Sequence, residues 1–154
     1  MASDFLQIVI PTYNRTAVLP ETLNYLVQSI RMHQLMSKVR IVVLDNASTD
    51  STPEIEIKAF ADCRIQYIRN SYNIGLEKNV YKALTLDGAR WTWVFGDDDV
   101  ISRNAIGVTL SHLESLDDEC KLVLLNYGQF AHDLKKLLST HVCVIPQNFI
   151  GNWT

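Results

Sequence analysis

The 154-residue chain is poor in glycine and cysteine and has no excess of positive charge, and each shortage removes a class of protein. Six glycines are about half the share expected from an average near ~7%, and none falls into G-x-G-x-x-G or G-x-x-x-x-G-K-[ST]. Neither glycine-rich phosphate cradle is therefore present. The cysteines, Cys63, Cys120 and Cys143, are odd in number and widely spaced. They match no disulfide framework and no zinc pattern, and a reducing compartment follows. The net charge of −3 argues against a nucleic-acid partner, which would want a basic face. No stretch approaches the ~18 apolar residues of a membrane span. Met1-Ala-Ser-Asp-Phe5 has neither the basic region nor the apolar run of a secretory signal, so a cytoplasmic place is expected. No repeat or low-complexity segment occurs. What is present, 47% apolar and 20% charged residues, describes a globular protein long enough for one core, read here as a single domain over 1–154.

Taken in order, the chain alternates. Leu6–Ile10 is a β-branched run stopped by Pro11, which predicts a first strand. Leu19, Leu23, Leu26 and Ile30 recur at helical spacing, with Pro20 and Glu21 suited to the first turn. Val39–Leu44 is apolar except for Arg40, the mark of a strand buried on both faces. The polar turn Asp45–Asp50 follows, and Thr52-Pro53-Glu54 predicts a helix to about Phe60. Ile65–Ile68 reads as a third strand. A helix is expected from about Leu76 to Leu86, burying Val80, Ala83 and Leu84 and ended by Asp87-Gly88. Trp91–Phe95 reads as a buried fourth strand, and Ser102 as the cap of a helix carrying Ile106, Leu110 and Leu113. Lys121–Leu125 is expected to be a fifth strand. Beyond Asn126 the pattern is ill defined, with a short helix around Leu134, Leu137 and Leu138 and a strand from His141 to Ile145 as readings. This alternation predicts an open, mostly parallel α/β sheet with helices on both faces, a three-layer α/β/α arrangement of Rossmann-like type.

The stretch with the strongest chemical content is Phe95-Gly-Asp-Asp-Asp99. Three adjacent carboxylates cannot be buried unpaired, since one buried charge already costs several kcal/mol. At the end of a parallel strand they stand where open α/β sheets bind ligands. Hard oxygen ligands suit Mg²⁺ or Mn²⁺ together with substrate phosphates. An acidic loop before a helix is the alternative, because aspartate is favourable there without any ligand.

Four features close successive strands: Pro11-Thr-Tyr-Asn14, Asp45-Asn-Ala-Ser-Thr-Asp50, Asn73-Ile-Gly75 with Asn79, and Gly96-Asp-Asp-Asp99. In this order and spacing, across residues 5–115, the chain resembles the family 2 glycosyltransferases, inverting enzymes with the GT-A fold. The glycine before the aspartates is similar to a branch that builds bacterial surface polysaccharides. The resemblance implies transfer of a sugar from a nucleotide-diphosphate sugar, UDP-linked as first guess, to a glycan or lipid-linked acceptor hydroxyl. It implies backbone contacts to the nucleotide from Pro11 and Thr12, and Tyr13 stacked on the base. Asp45 would accept a hydrogen bond from the base, and Asn73, Gly75 and Asn79 would approach the ribose and diphosphate. The aspartates correspond to the family's D-x-D motif in either of two registers. One has Asp97 facing the ribose and Asp98 holding Mn²⁺ or Mg²⁺. The other makes Asp99 the metal ligand. A place at the inner face of the membrane would follow from a lipid-linked acceptor.

Family members usually run longer, and their second half supplies the acceptor site and a catalytic base. Against that pattern this chain reads as a truncated GT-A domain, and an exposed apolar edge is expected. Asp117, Asp118, Glu119 and Asp133 lie in turns or ill-defined sequence, and His112 and His132 stand alone, so no base is identified. Three rivals remain. A non-catalytic nucleotide-sugar-binding or assembly module would keep the fold without turnover. A sugar nucleotidyltransferase would want a glycine-rich basic loop where Pro11–Arg15 stands. A receiver domain would want acids at the end of the first strand, where Pro11-Thr12 stands.

Overall fold

The structure, a computed structural model, describes residues 4–54, 63–123, 125, 127–130 and 137–141. The chain falls into two compact units, 1–115 and 116–154. The first unit runs β1 (Asp4–Thr12), α1 (Leu19–Met32), β2 (Val39–Asp45), a 3₁₀ turn (Thr52–Glu54), β3 (Ile65–Arg69), α2 (Leu76–Leu84), β4 (Ala89–Val94) and α3 (Ala105–Ser115). Its strands form one parallel sheet in the order β3-β2-β1-β4.

The chain steps outward from β1 to β3 and then crosses back to pair β4 with the other side of β1. Right-handed crossovers running in opposite directions place their helices on opposite faces of the sheet. Ala83 of α2 packs on Val9, Val42 and Leu44. Alternation along β1 sends Leu6, Ile8 and Ile10 to the opposite face, and α1 packs against α3. Ile8, Ile10, Ile41 and Leu44 are all fully enclosed. Each such side chain stabilises the fold by about 1.5–3 kcal/mol relative to exposure. The open α/β sheet predicted by the alternation is the fold observed.

Two polar residues inside apolar strands account for each other. Gln7, wholly buried in β1, donates from Nε2 to Leu86 O and to Thr92 Oγ1 at 2.8 Å. Its Oε1 accepts from Arg40, the residue that interrupts β2, and Arg40 Nη2 also reaches Asp87 O at 3.0 Å. One amide and one guanidinium thereby tie three strands and the α2–β4 turn. Gly88 is required at this point. It has φ +123°, and a Cβ there would lie 2.1 Å from the Arg40 guanidinium. It does not cap α2 as expected, because that helix ends earlier in sequence, at Leu84 with Thr85 as its C-cap.

Other expectations also change. Leu84 is exposed, because α2 turns its inner face through Asn79 and Ala83 instead. β4 is half-buried rather than buried, since it pairs only with β1 among the described strands and leaves Trp91 and Trp93 at an apolar edge. α3 begins at Ala105, where the Asn104 carbonyl accepts from Val108 N at 2.9 Å. Thr52–Glu54 is a 3₁₀ turn, and the expected continuation over 55–60 lies outside the described residues. In the second unit Lys121–Val123 and Leu125 belong to no strand. Leu122 is 68% exposed, so the apolar run there has no sheet to cover it. The strands are β5 (Tyr127–Phe130) and β6 (Leu137–His141), antiparallel, with Tyr127 opposite His141. Leu137 and Leu138 are therefore extended rather than helical, and residues 142–145 lie outside the described residues.

Replacing Gln7 by leucine keeps the volume and removes both halves of the amide. Groups that are left buried without a partner cost about 1–3 kcal/mol. Urea unfolding of Gln7→Leu is expected to show a loss of that size, and an unchanged midpoint would mean that the Gln7–Arg40 link carries no net stabilisation.

Candidate functional site

Register brings the site together. Thr12 lies opposite Asp45, and Asp45 opposite Arg69, so β1, β2 and β3 end level. Val9 lies opposite Val94, which brings Asp97, three residues further on, level with Thr12. The junction between β1 and β4 is where the strand order reverses, the place at which open α/β sheets bind ligands. There Thr12 Oγ1 donates to Asp97 Oδ2 at 2.8 Å, and Thr22 Oγ1 of α1 donates to Asp97 O at 2.9 Å.

The loop after β1 is laced to the loop after β2. Asn14, at φ 54°, accepts on Oδ1 from Thr49 N at 2.7 Å. Its own N–H donates to Ser48 Oγ, the Arg15 N–H to Thr52 Oγ1, and the Thr16 N–H to Asp50 Oδ2. Some desolvation pushes the Asp50 carboxyl up, but hydrogen bonds from Thr52 and Thr16 outweigh it and hold the group well below the usual carboxylate range.

Asp45 has a different post from the one expected. It has no exposed surface, and its Oδ1 accepts from Ser48 N at 3.0 Å while Oδ2 accepts from Tyr67 OH at 2.7 Å beside Arg69 Nη1 at 3.3 Å. Burial and the adjacent Asp45 carboxylate push the Tyr67 phenol far above its ordinary value. A carboxylate enclosed by these partners has no surface to offer an incoming base. It braces the 45–48 turn.

Asparagines hold the loop before α2. Asn46 Nδ2 donates to Asn73 Oδ1 at 2.8 Å, and its Oδ1 accepts from Asn70 Nδ2 and from Ile74 N. Asn70 Nδ2 also reaches Asn79 Oδ1, and Asn79 Nδ2 donates to Leu44 O. Asn46, Asn70 and Asn79 are nearly fully buried. Sequence reasoning singled out Asn73 and Asn79 and missed Asn46 and Asn70. The available signal was position: each directly follows the last residue of a strand.

These loops surround a cleft of about 510 Å³. Of the expected site residues, Pro11, Thr12, Tyr13, Asn73, Gly75, Asn79 and Asp97 stand on its wall, joined by Arg15 and Asn46, which were not expected. Asp45, Asp98 and Asp99 do not line it. Asp97 keeps a 12% exposed side chain, and burial, with the neighbouring Asp98 charge, raises its carboxyl above the ordinary range against the pull of Thr12 and Arg15. Asp98 is 60% exposed and lies 4.0 Å from Arg15 Nη2. Asp99 turns back and accepts from Gly96 N at 3.2 Å.

Among the described residues, no three His, Cys, Asp or Glu side chains converge as a metal cage. Mg²⁺ or Mn²⁺ bound with substrate phosphates needs only one or two carboxylates. The Arg15 guanidinium is already a cation drawn to Asp97 and Asp98 together, so this pair fits a divalent ion. Asp117 caps its own turn, accepting from Glu119 N and Cys120 N, and His112 is an exposed side chain of α3. Asp133 and His132 lie outside the described residues.

The sheet order, with carboxylates at its reversal point, is that of a GT-A domain. The model of glycosyl transferase family 2 matches residues 7–145, and the chain belongs to that family. It is 31% identical over 139 residues to abequosyltransferase RfbV of Salmonella typhimurium, which covers 88% of this chain and 40% of that protein. Residues 1–349 of S. aureus TarS in complex with UDP-GlcNAc superpose with a TM-score of 0.60 at 22% identity, over 71% of this chain and 31% of the other. The mannosyltransferase PcManGT from Pyrobaculum calidifontis, in complex with GDP-Man and Mn²⁺, gives a TM-score of 0.57 at 22% identity, over 68% of this chain and 32% of its own. The chain thus spans well under half of these relatives. Among the described residues no helix is long and apolar enough to cross a membrane.

The Asp50 carboxyl yields a pH prediction. Its folded value is depressed, so its contribution is complete above the unfolded value of about 4 and is lost as pH falls through the folded value. Asp50→Asn is expected to melt below wild type at pH 7, with the two converging as pH drops below about 4. A gap that is constant with pH would show that Asp50 acts through shape rather than charge.

Proposed function

We propose that this chain binds the nucleoside diphosphate of a sugar donor and forms the donor-binding part of an inverting, metal-dependent glycosyltransferase. The observation that carries the reading is that Arg15, on the cleft wall where the sheet order reverses, lies 3.4 Å from Asp97 and 4.0 Å from Asp98. Thr12 and Thr22 fix Asp97, so its carboxylate faces ribose and diphosphate from a set position. Asp98 is the metal ligand, and Asp99 braces Gly96. Bound there, a divalent cation supplies neutralisation of the charge that grows on the departing diphosphate.

Tyr13, 40% exposed at the cleft, offers its ring to the base. Gly75, at φ 87° with no side-chain cap on α2, leaves the first-turn N–H groups of that helix open to phosphate oxygens. The relatives named above carry UDP-GlcNAc, GDP-Man and Mn²⁺, which supports a nucleotide-sugar ligand and a divalent cofactor here. A surface-polysaccharide role, a glycan or lipid-linked acceptor and a place at the inner face of the membrane follow from the likeness to an abequosyltransferase and from the family resemblance.

Calorimetric titration of UDP, CDP, GDP and dTDP, with Mn²⁺ and with EDTA, tests the reading. One nucleotide is expected to bind in a metal-dependent way, and Asp98→Ala is expected to lose the metal dependence. Binding of no nucleotide to the folded chain would overturn it. In the same assay Tyr13→Ala should weaken binding by about 1–3 kcal/mol, the range for one base–aromatic stack. Tyr13→Phe should bind like wild type, and equal losses in both would point to the hydroxyl instead of the ring.

A further inference from the structure

The two carboxylates of the proposed donor site are already engaged in the ligand-free protein. Arg15 Nε lies 3.4 Å from Asp97 Oδ1, and Arg15 Nη2 lies 4.0 Å from Asp98 Oδ2. The guanidinium therefore stands beside the Asp98 carboxylate that a divalent cation would need, and two cations cannot share that place without strong repulsion.

We infer that Arg15 and the divalent cation exchange places: Arg15 pairs with Asp97 and Asp98 in the metal-free protein, then leaves Asp98 to the cation and turns to the diphosphate. The inference rests on the donor-site reading above and assigns Arg15 a positioning role in it.

The surroundings suit a moving arm on a fixed base. The Arg15 backbone is anchored at both ends, its N–H to Thr52 Oγ1 at 2.9 Å and its carbonyl by Leu19 N at 3.0 Å. Its side chain is half-exposed and stands on the cleft wall. Departure of the guanidinium does not release Asp97, because Thr12 holds the carboxylate and Thr22 the carbonyl. The arginine fork matches phosphate oxygens better than it matches two carboxylates reached at 3.4 and 4.0 Å.

Exchange makes the two ligands help each other. The cation frees the arginine that the diphosphate uses, and the diphosphate draws away the arginine that obstructs the cation. Linkage requires the effect to be reciprocal. Arg15 then acts with opposite sign on binding of the cation alone and on binding of the diphosphate with the cation present, which a residue that merely supports the loop would not do.

The test is Mn²⁺ binding to the 154-residue chain without nucleotide, followed by electron paramagnetic resonance, and then nucleoside diphosphate binding with Mn²⁺ present. Arg15→Ala is expected to bind Mn²⁺ alone about fivefold tighter, the conversion of ~1 kcal/mol for an exposed ion pair removed. The same variant should bind the diphosphate about tenfold more weakly, and Arg15→Lys should recover part of both effects. The Nε–H resonance of Arg15, assigned by its absence in Arg15→Ala, should shift when Mg²⁺ is added alone. Unchanged or weaker Mn²⁺ binding by Arg15→Ala, or an Nε–H resonance that stays in place, overturns the exchange while Asp98→Ala still abolishes Mn²⁺ binding. If Asp98→Ala binds Mn²⁺ as wild type does, the donor-site reading has failed and the exchange falls with it.

Discussion

A single buried hydroxyl links the two halves of the sheet's binding edge. Thr12 ends β1, and its Oγ1 donates to Asp97, which follows β4. That contact exists because Val9 pairs with Val94, so the strands arrive in step and three further residues bring the carboxylate alongside. Thr22 adds a second tie from α1 to the Asp97 carbonyl. A one-residue slip of β4 would send every side chain of that strand to the opposite face and leave Asp97 without either partner. The position of the acidic loop is thus a consequence of sheet register, which the apolar cores on both faces enforce.

Around this point the loops are held by side chains acting as substitute backbone. Asn46, Asn70 and Asn79 donate and accept at once, a capacity the amide has and a carboxylate or ammonium lacks. Buried amides satisfied in this way carry no net charge into the cleft floor. The charged groups, Arg15, Asp97 and Asp98, are kept to the rim and wall, where water still reaches them. Asp45 is the exception, an enclosed carboxylate whose desolvation is offset by Ser48, Tyr67 and Arg69.

Most of the first unit was legible because periodicity reports burial. The helical spacing of Leu19, Leu23, Leu26 and Ile30 and the continuous run Val39–Leu44 have one packing solution each, and both were observed. Boundaries were less legible where a residue answers to a distant partner. Gly88 read as a helix end, yet it serves Arg40 of β2. Lys121–Leu125 has the composition of a strand, but Lys121–Val123 and Leu125 belong to none, and the described ladder starts at Tyr127 opposite His141. At the site the chemistry of the aspartates was readable from their adjacency, whereas their separate duties were not. Whether a carboxylate faces a cation or folds back on Gly96 N depends on backbone turns that residue type does not encode. Arg15 was passed over because a lone arginine after a turn has no pattern of its own.

The missing glycine cradle has a structural counterpart. In a phosphate-binding loop, successive N–H groups after the first strand point at the ligand. Here the N–H groups of Asn14, Arg15 and Thr16 are all donated to the β2 loop, to Ser48, Thr52 and Asp50. The loop gains a fixed shape and gives up its use as an anion nest. The positive groups left to this cleft are the Arg15 side chain and the first turn of α2, whose N-cap makes no side-chain hydrogen bond. With the backbone donors committed elsewhere, charged side chains, Arg15 beside Asp97 and Asp98, stand where a glycine-cradle fold would have its anion nest.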